Sequence, residues 1–448
     1  MKLHCDSIYS IGKAGLWDDG LSFTNITLDS RTVTTGSLFA AHKGEKTDAH
    51  VYIDQAVGNG ATAVVAEYMP EDLHVSVPVL LTDDVPRTLL GLCTELRKLH
   101  PEQLIVAVTG SNGKTTTKDI LASVLSGLGT LGATEGNLNT EWGVPQTFIN
   151  NYEKDILVIE MGMDHPGDIA KLASAVMPDA GVVTTVAPVH MEFMKTIDAV
   201  YIGKTELFTY VKKNGLKLAN GDNELLKRTV IDHVGSELFG QSNECRYNFK
   251  ILQENVDSTT FLFDGYTFIL PIWGSFNVYN AVPAIIIAHE NGMSYDEIQK
   301  RLMTVSLSPK RMELHRVGVK ILINDTYNAS PNAVIAALQS MSVYSGKKIA
   351  ICLGDMLELG NESKAYHRTV CSAALQVPNS MIFCVGQEFY ALHHEFPGIS
   401  FFTTKEACIE TMNRMTGIDV YFFKGSRGMR MEEVFAAIKE TITCSTIL

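Results

Sequence analysis

Apolar positions in this chain follow two rhythms. In the first, short unbroken runs such as "LIVAVTG" (104–110), "DILVIEMG" (155–162) and "AGVVTTVAP" (180–188) lack the every-second-residue polarity of a half-exposed strand. Such runs predict strands buried on both faces, as in a parallel sheet covered by helices. In the second, "TTTKDILASVLSGLG" (115–129), "HPGDIAKLASAV" (165–176) and "NVYNAVPAIIIAHENG" (277–292) repeat apolar residues near helical spacing and predict the covering helices, with a shorter one after "MSYDEIQ". Strand and helix alternate, so residues 99–308 predict a doubly wound sheet that binds ligands at the carboxyl ends of its strands.

The rhythm restarts around "SLSPKRME" (306–313). "VKILINDTYN", "KKIAICLGD", "SMIFCVGQ" and "DVYFFKG" read as strands, and "NAVIAALQSMSV" as a helix, giving a Rossmann-like unit over 309–448. Residues 1–98 mix strands ("ATAVVAEY", "VPVLLTDD") with a helix ("VPRTLLGLCTELRKLH") and predict a small mixed α/β domain. The fold class expected is therefore α/β with three domains: 1–98, 99–308 and 309–448. A chain of 448 residues is long enough for that many cores.

Composition adds exclusions. A formal net charge of −13 argues against nucleic acid or an anionic membrane as the main partner, though a local basic pocket is invisible in a sum. The eight cysteines are scattered, without a CxxC pair or metal-ligand spacing, and most sit in apolar runs such as "IAICLG"; they read as free buried thiols. No apolar run is long enough to span a bilayer, and "MKLHCDSIYSIGKAG" lacks the apolar stretch of a signal peptide. The expected location is the cytoplasm.

Candidate chemistry begins at "AVTGSNGKTTT" (107–117). Strand, then Gly110, Ser111, Asn112, Gly113, Lys114, Thr115 and Thr116, then helix, is the context of a phosphate-binding loop. Glycines let backbone N–H groups curl round an anion, the helix N-terminus adds positive potential, Lys114 reaches the outer phosphates and Thr115 offers a hydroxyl to Mg²⁺. The common pattern has a glycine where this chain has Val108, so the loop is of a shorter kind. "DILVIEMG" ends in Glu160, a carboxylate able to share a metal with Thr115. An acid at a strand end is commonplace by itself; beside a phosphate loop it gains weight. His190 and Lys204, in "APVHMEFMKTIDAVYIGKTELF", read on their own as a structural histidine and a solvated helix lysine.

These strings together resemble the ATP-dependent Mur ligases, which join an amino acid or dipeptide to a UDP-linked muramoyl peptide in peptidoglycan precursor synthesis. TGSNGKTT, "EGNLNTEWGVP", "IEMG" and the His190–Lys204 spacing carry the resemblance, and "TLDSRTVTTGSLFAAHKGEKTDAH", "FNVYNAVPA", "SPKRMELHR", "INDTYNASPNA", "LGDMLELG" and "KGSRGMRMEEV" extend it along essentially the whole chain. The last four look most like the dipeptide-adding branch. That likeness implies UDP-N-acetylmuramoyl-tripeptide and D-alanyl-D-alanine as substrates, ATP and Mg²⁺ as cofactors, an acyl-phosphate intermediate, and a monomer. The alternatives are the third-residue-adding Mur ligase, a folylpolyglutamate synthase, or a P-loop ATPase switch without ligase chemistry.

The resemblance also implies roles. Lys114 belongs to the phosphate loop; Thr115, Glu160, His190 and Lys204 are metal-site residues, with Lys204 carboxylated on its side-chain nitrogen. Asn137 lies near the phosphates, and Asn277 and Asn280 near the nucleotide. Arg311, Asp325 and Asn328 reach ATP from the C-terminal domain, which also binds the incoming dipeptide. Ser30 and Arg31 meet the uridine diphosphate end, and Lys424 to Arg430 shape the acceptor or closure surface. Three strings depart from the family pattern: Asp164 replaces a common asparagine, "VAPVH" replaces a glycine-containing turn, and "NGDN" (220–223) replaces Asn-Ala-Asp.

Overall fold

The continuous apolar runs become the inner strands of three sheets in a computed structural model that describes residues 23–44, 47–189 and 191–447. The first sheet is parallel, with β1 (Asn25–Thr27), β2 (Ser37–Ala41), β3 (Ala61–Ala66) and β4 (Val79–Leu81) in sequence order.

The central sheet has nine strands. They are β5 (Leu104–Thr109), β6 (Leu131–Ala133), β7 (Ile156–Glu160), β8 (Ala180–Val183), β9 (Leu216–Asn220), β10 (Ser236–Gly240), β11 (Tyr247–Glu254), β12 (Thr259–Phe263) and β13 (Tyr266–Leu270). Their order is β13-β12-β11-β10-β9-β8-β5-β7-β6. From β6 through β11 every pairing is parallel, and β11-β12-β13 form an antiparallel extension. The chain leaves β5 toward β6 and β7 on one side, then crosses to β8 and β9 on the other. The strand order reverses at β5, the switch point where doubly wound sheets hold ligands. The expected α/β class is thus observed, and β11 to β13 add an edge that the strand–helix rhythm does not announce.

Burial explains the inner strands. Ile105, Val106, Ala107 and Val108 are all fully buried, their side chains alternating between two apolar layers. Helices Lys114–Leu125 and Asn277–Glu290 cover one face; Gly143–Asn150, Asp168–Val176 and Ile197–Tyr210 cover the other. Helix Val85–Leu99 lays Val85, Leu89, Leu92, Cys93 and Leu96 into that second layer, which also takes Leu38 and Val65 of the first sheet. Apolar packing therefore runs unbroken from the first sheet into the central one.

One buried ion pair pins this junction. Arg97, 2% exposed, donates to Asp179 Oδ2 (2.7 Å), Gln103 O (2.7 Å) and His100 O (3.1 Å). Arg97→Ala should destabilise the fold by roughly 2–4 kcal/mol in urea titration, because it opens a cavity and leaves buried acceptors unpaired. The cost stays below that of stranding a lone charge, since Lys212 still neutralises Asp179 (2.6 Å).

The third sheet comprises β14 (Glu313–Val317), β15 (Lys320–Asp325), β16 (Ile349–Gly354), β17 (Ser380–Val385), β18 (Ile399–Phe402) and β19 (Val420–Lys424), ordered β14-β15-β19-β16-β17-β18. Only β14 is antiparallel to its neighbour. Cys93, Cys245, Cys352, Cys371, Cys384 and Cys408 are free and buried, Cys444 is free and exposed, and Cys5 lies outside the described residues. Among the described residues no helix is long and apolar enough to cross a membrane.

Candidate functional site

Glycine chemistry shapes the loop between β5 and helix Lys114–Leu125. Gly110 has φ +150°, and a Cβ there would fall 1.9 Å from Thr184 Oγ1. Gly113 has φ +84°, and its Cβ would fall 2.5 Å from Asn280 Oδ1. No other residue fits either position without displacing those groups. Val108, the residue in place of the usual glycine, is a fully buried member of β5 paired with Glu160 on β7. The short loop thus begins at Gly110, two strand residues later than the common form.

The segment after β8 braces this loop. Ser111 N–H donates to Thr185 O (2.8 Å), Asn112 N–H to Thr185 Oγ1 (2.9 Å), and the Thr184 hydroxyl to Asn112 O. Ser111 Oγ donates to Ala187 O (3.0 Å) and accepts from Ala187 N–H (2.9 Å). The departing strings serve here: Asn223 of "NGDN" donates to Val186 O (2.8 Å) and so fixes the "VAPV" stretch that leads to His190. His190 itself lies outside the described residues.

Next come the charged groups. Lys114 Nζ donates to Gly110 O (2.8 Å), which holds the ammonium at the loop mouth. Burial pulls the Lys114 pKa below its usual value; nearby Glu160 opposes that drop and Arg311 adds to it. Thr115 Oγ1 donates to Glu160 Oε2 (2.7 Å), and Asn139 Nδ2 to Glu160 Oε1 (2.8 Å). Glu160 is 2% exposed, yet both of these side-chain partners are neutral. A buried carboxylate beside a hydroxyl fits a hard cation such as Mg²⁺. Among the described residues no three His, Cys, Asp or Glu side chains form a closed cage. The donors therefore suit an ion that takes its remaining ligands from phosphate and water.

Lys204, on helix Ile197–Tyr210, is 2% exposed rather than solvated. Burial pushes its amine well below the normal lysine pKa; Lys114 adds to the drop and Asp164 opposes it. On the helix across the loop, Asn280 Nδ2 donates to Asn277 Oδ1 (2.9 Å), and Thr117 Oγ1 donates to Asn280 Oδ1 (3.2 Å).

The third sheet closes the site. Arg311 stacks its guanidinium 4.0 Å from the Tyr327 ring, with Nε buried and unpaired. Lys424, 5% exposed, ion-pairs with Asp325 and donates to Asn328 O (3.0 Å). Ser330 stands at the N-cap of helix Pro331–Ser340 but does not cap it. Its hydroxyl instead donates to Asn112 Oδ1 (2.6 Å), a direct bond from the third sheet's loop to the phosphate loop.

Ser111 to Thr116, Glu160, Asn277, Asn280, Arg311, Asp325 and Asn328 all border one cleft of about 980 Å³ between the second and third sheets. Gly110 and Lys204 are not among the residues that line it. Three expected residues stand apart. Asn137 is exposed and off the cleft, whose edge is formed by Asn139 two residues on. Ser30 is buried against Gln55 (2.9 Å), and Arg31 is exposed and paired with Asp29 (2.6 Å); neither borders the cleft. Asn139, Thr184, Thr185 and Ser330 are additions that the sequence reading lacks.

Comparison with known proteins fits this geometry. Three family descriptions match in order: Mur ligase family, catalytic domain, at 22–86; Mur ligase middle domain at 108–288; and Mur ligase, glutamate ligase domain, at 310–427. The UDP-N-acetylmuramoyl-tripeptide–D-alanyl-D-alanine ligase of Escherichia coli K12 is 32% identical, with 94% of each chain covered. The chain belongs to the Mur ligase family. The Bacillus subtilis 168 enzyme of the same name is also 32% identical over 93% of each chain. Among solved structures, MurF from Acinetobacter baumannii superposes on this Mur ligase with a TM-score of 0.89 at 25% identity, covering 98% of this chain and 99% of that one. MurF from Thermotoga maritima in complex with ADP gives 0.84 at 28% identity, covering 94% and 98%.

Proposed function

We propose that this Mur ligase adds D-alanyl-D-alanine to UDP-N-acetylmuramoyl-tripeptide with conversion of ATP to ADP and phosphate, as a monomer in the cytoplasm. The observation that carries the reading is the convergence, on one cleft, of Lys114, Thr115 and Glu160 from the central sheet with Arg311, Asp325 and Asn328 from the third. A nucleotide switch has no need of a second sheet's arginine over its phosphate loop.

A peptide carboxylate is a poor electrophile. In the proposed sequence its oxygen attacks the γ-phosphorus of ATP in line, and the bond to the β-phosphate oxygen breaks to release ADP. The amine of D-alanyl-D-alanine then attacks the acyl carbon, loses a proton, and phosphate departs. Lys114 and Arg311 offset the charge of the transferring phosphoryl group, and the two walls hold the reactants in line. Thr115 and Glu160, with His190 and a carboxylated Lys204, would hold Mg²⁺. That ion neutralises phosphate oxygens when bound. Asn277, Asn280, Asp325 and Asn328 orient the nucleotide. Ser330 bonded to Asn112 keeps the third sheet over the loop, which excludes the water that would hydrolyse an acyl phosphate. In this scheme residues 1–98, through Ser30 and Arg31, receive the uridine diphosphate end, 99–308 bind ATP, and 309–448 bring the dipeptide.

Phosphate release measured with UDP-N-acetylmuramoyl-tripeptide, with and without D-alanyl-D-alanine, tests the assignment. Sustained release should require both. Equal release without the dipeptide would mark an ATPase, and no release with both would overturn the substrate pair.

A further inference from the structure

Arg311 sits in an unusual stretch of backbone. The residues on either side, Lys310 (φ +64°) and Met312 (φ +51°), both occupy the left-handed region that side chains other than glycine rarely adopt. Such a conformation persists only where its surroundings over-determine it. This turn joins the central and third sheets, so whatever holds it also sets where Arg311 points.

The holding group is Glu432, at the start of helix Glu432–Ile447. A single oxygen, Oε1, accepts from Lys310 Nζ (2.9 Å) and from Arg427 Nη1 (2.6 Å). The second oxygen, Oε2, is buried with no hydrogen-bond partner. Two cations thus meet on one atom of a carboxylate whose other oxygen is excluded from water. The pKa of Glu432 falls to about 2 despite its partial burial, the direct bonds from Lys310 and Arg427 outweighing desolvation. Arg427 borders the cleft. On the other side of the turn, Lys310 O accepts the Tyr327 N–H (3.1 Å), and the Tyr327 ring carries the Arg311 guanidinium. The chain of contacts runs Arg427–Glu432–Lys310–Tyr327–Arg311 and spans both the rim and the roof of the site.

We propose that Glu432 is a positioning residue: it clamps the strained Lys310–Met312 turn to Arg427, and so holds Arg311 over the phosphate loop. The activity arm of this proposal rests on the ligase reading above; the structural arm does not. Glu432→Gln keeps the size of the side chain and removes the charge shared by the two cations.

The test compares the full-length protein with Glu432→Gln by steady-state kinetics and by hydrogen exchange of the Tyr327 amide. A displaced Arg311 should lower kcat roughly tenfold while the KM for the uridine nucleotide, which binds elsewhere, changes less than about twofold. Exchange at Tyr327 should speed up by about tenfold as the turn loosens. A kcat within about twofold of wild type together with unchanged Tyr327 exchange would overturn the clamp, and equal loss in kcat and in uridine-nucleotide affinity would reduce Glu432 to general stability. If Glu432→Gln does not fold, Lys310→Gln cuts the turn-side bond and leaves Glu432–Arg427 intact, and the same two readouts decide. If the wild type releases no phosphate with D-alanyl-D-alanine, the ligase reading fails while Tyr327 exchange still judges the clamp.

Discussion

Lys114→Ala is expected to abolish ADP formation, with kcat falling roughly a thousandfold or more, while the melting temperature stays at or slightly above that of the wild type. The catalytic half follows from position. The ammonium is bonded to Gly110 O and feels the charges of Glu160 and Arg311, and in the proposed reaction it offsets charge on the transferring phosphoryl group. The stability half follows from its lowered pKa. Over the range below the unfolded value of 10.5, the unfolded chain holds this proton more tightly than the native protein. Native stability from this group therefore rises as pH rises toward 10.5, and at neutral pH the group costs stability rather than adding it. Alanine removes that cost together with one hydrogen bond to a carbonyl. A coupled ADP assay and calorimetry across pH 7–10 check both halves. ADP formation within about tenfold of wild type would remove Lys114 from the phosphate site.

Much of the fold is legible because the runs around β5, β7 and β8 are buried on both faces, which leaves an unbroken apolar signature. The extension β11 to β13 escapes notice for the opposite reason: β11 is mostly solvent-facing, and its partners β12 and β13 interrupt their buried positions with exposed or half-exposed ones. In the site, the groups that a loop carries on contiguous residues, Gly110 to Thr116, read directly from the chain. Groups that depend on tertiary approach do not. Ser330 reaches Asn112 across 218 positions, and its hydroxyl is used there rather than in capping the helix that follows. "EGNLNT" contains two asparagines, and only the turn at 135–139 decides that Asn139 bonds Glu160 while Asn137 faces solvent. Lys204 is the sharpest case. Residue pattern alone reads it as a solvated lysine, whereas the fold buries it beside Lys114 and Asp164.

That burial sets the second large effect. Lys204→Ala should lower kcat by roughly 10²–10³-fold, with partial recovery on addition of formate or acetate. Burial pushes the Lys204 amine well below its usual pKa and so favours the neutral form, which is the form that attacks CO₂: the C–N bond would form, one proton would leave, and a carbamate would replace the cation. The product would supply anionic oxygen beside Lys114 and Asp164, the donor type that Mg²⁺ takes. The unmodified cation would instead be opposed by the charge of Lys114. Labelling with ¹³C-bicarbonate gives a readout independent of turnover: a carbamate carbon resonance in the wild type that is absent in Lys204→Ala. Lys204→Met supplies the matching stability test, since it fills the same buried space without an amine and should melt no lower than the wild type. Full turnover of Lys204→Ala without added carboxylate, or an identical ¹³C spectrum in both proteins, would leave Lys204 as a buried amine with no part in the chemistry.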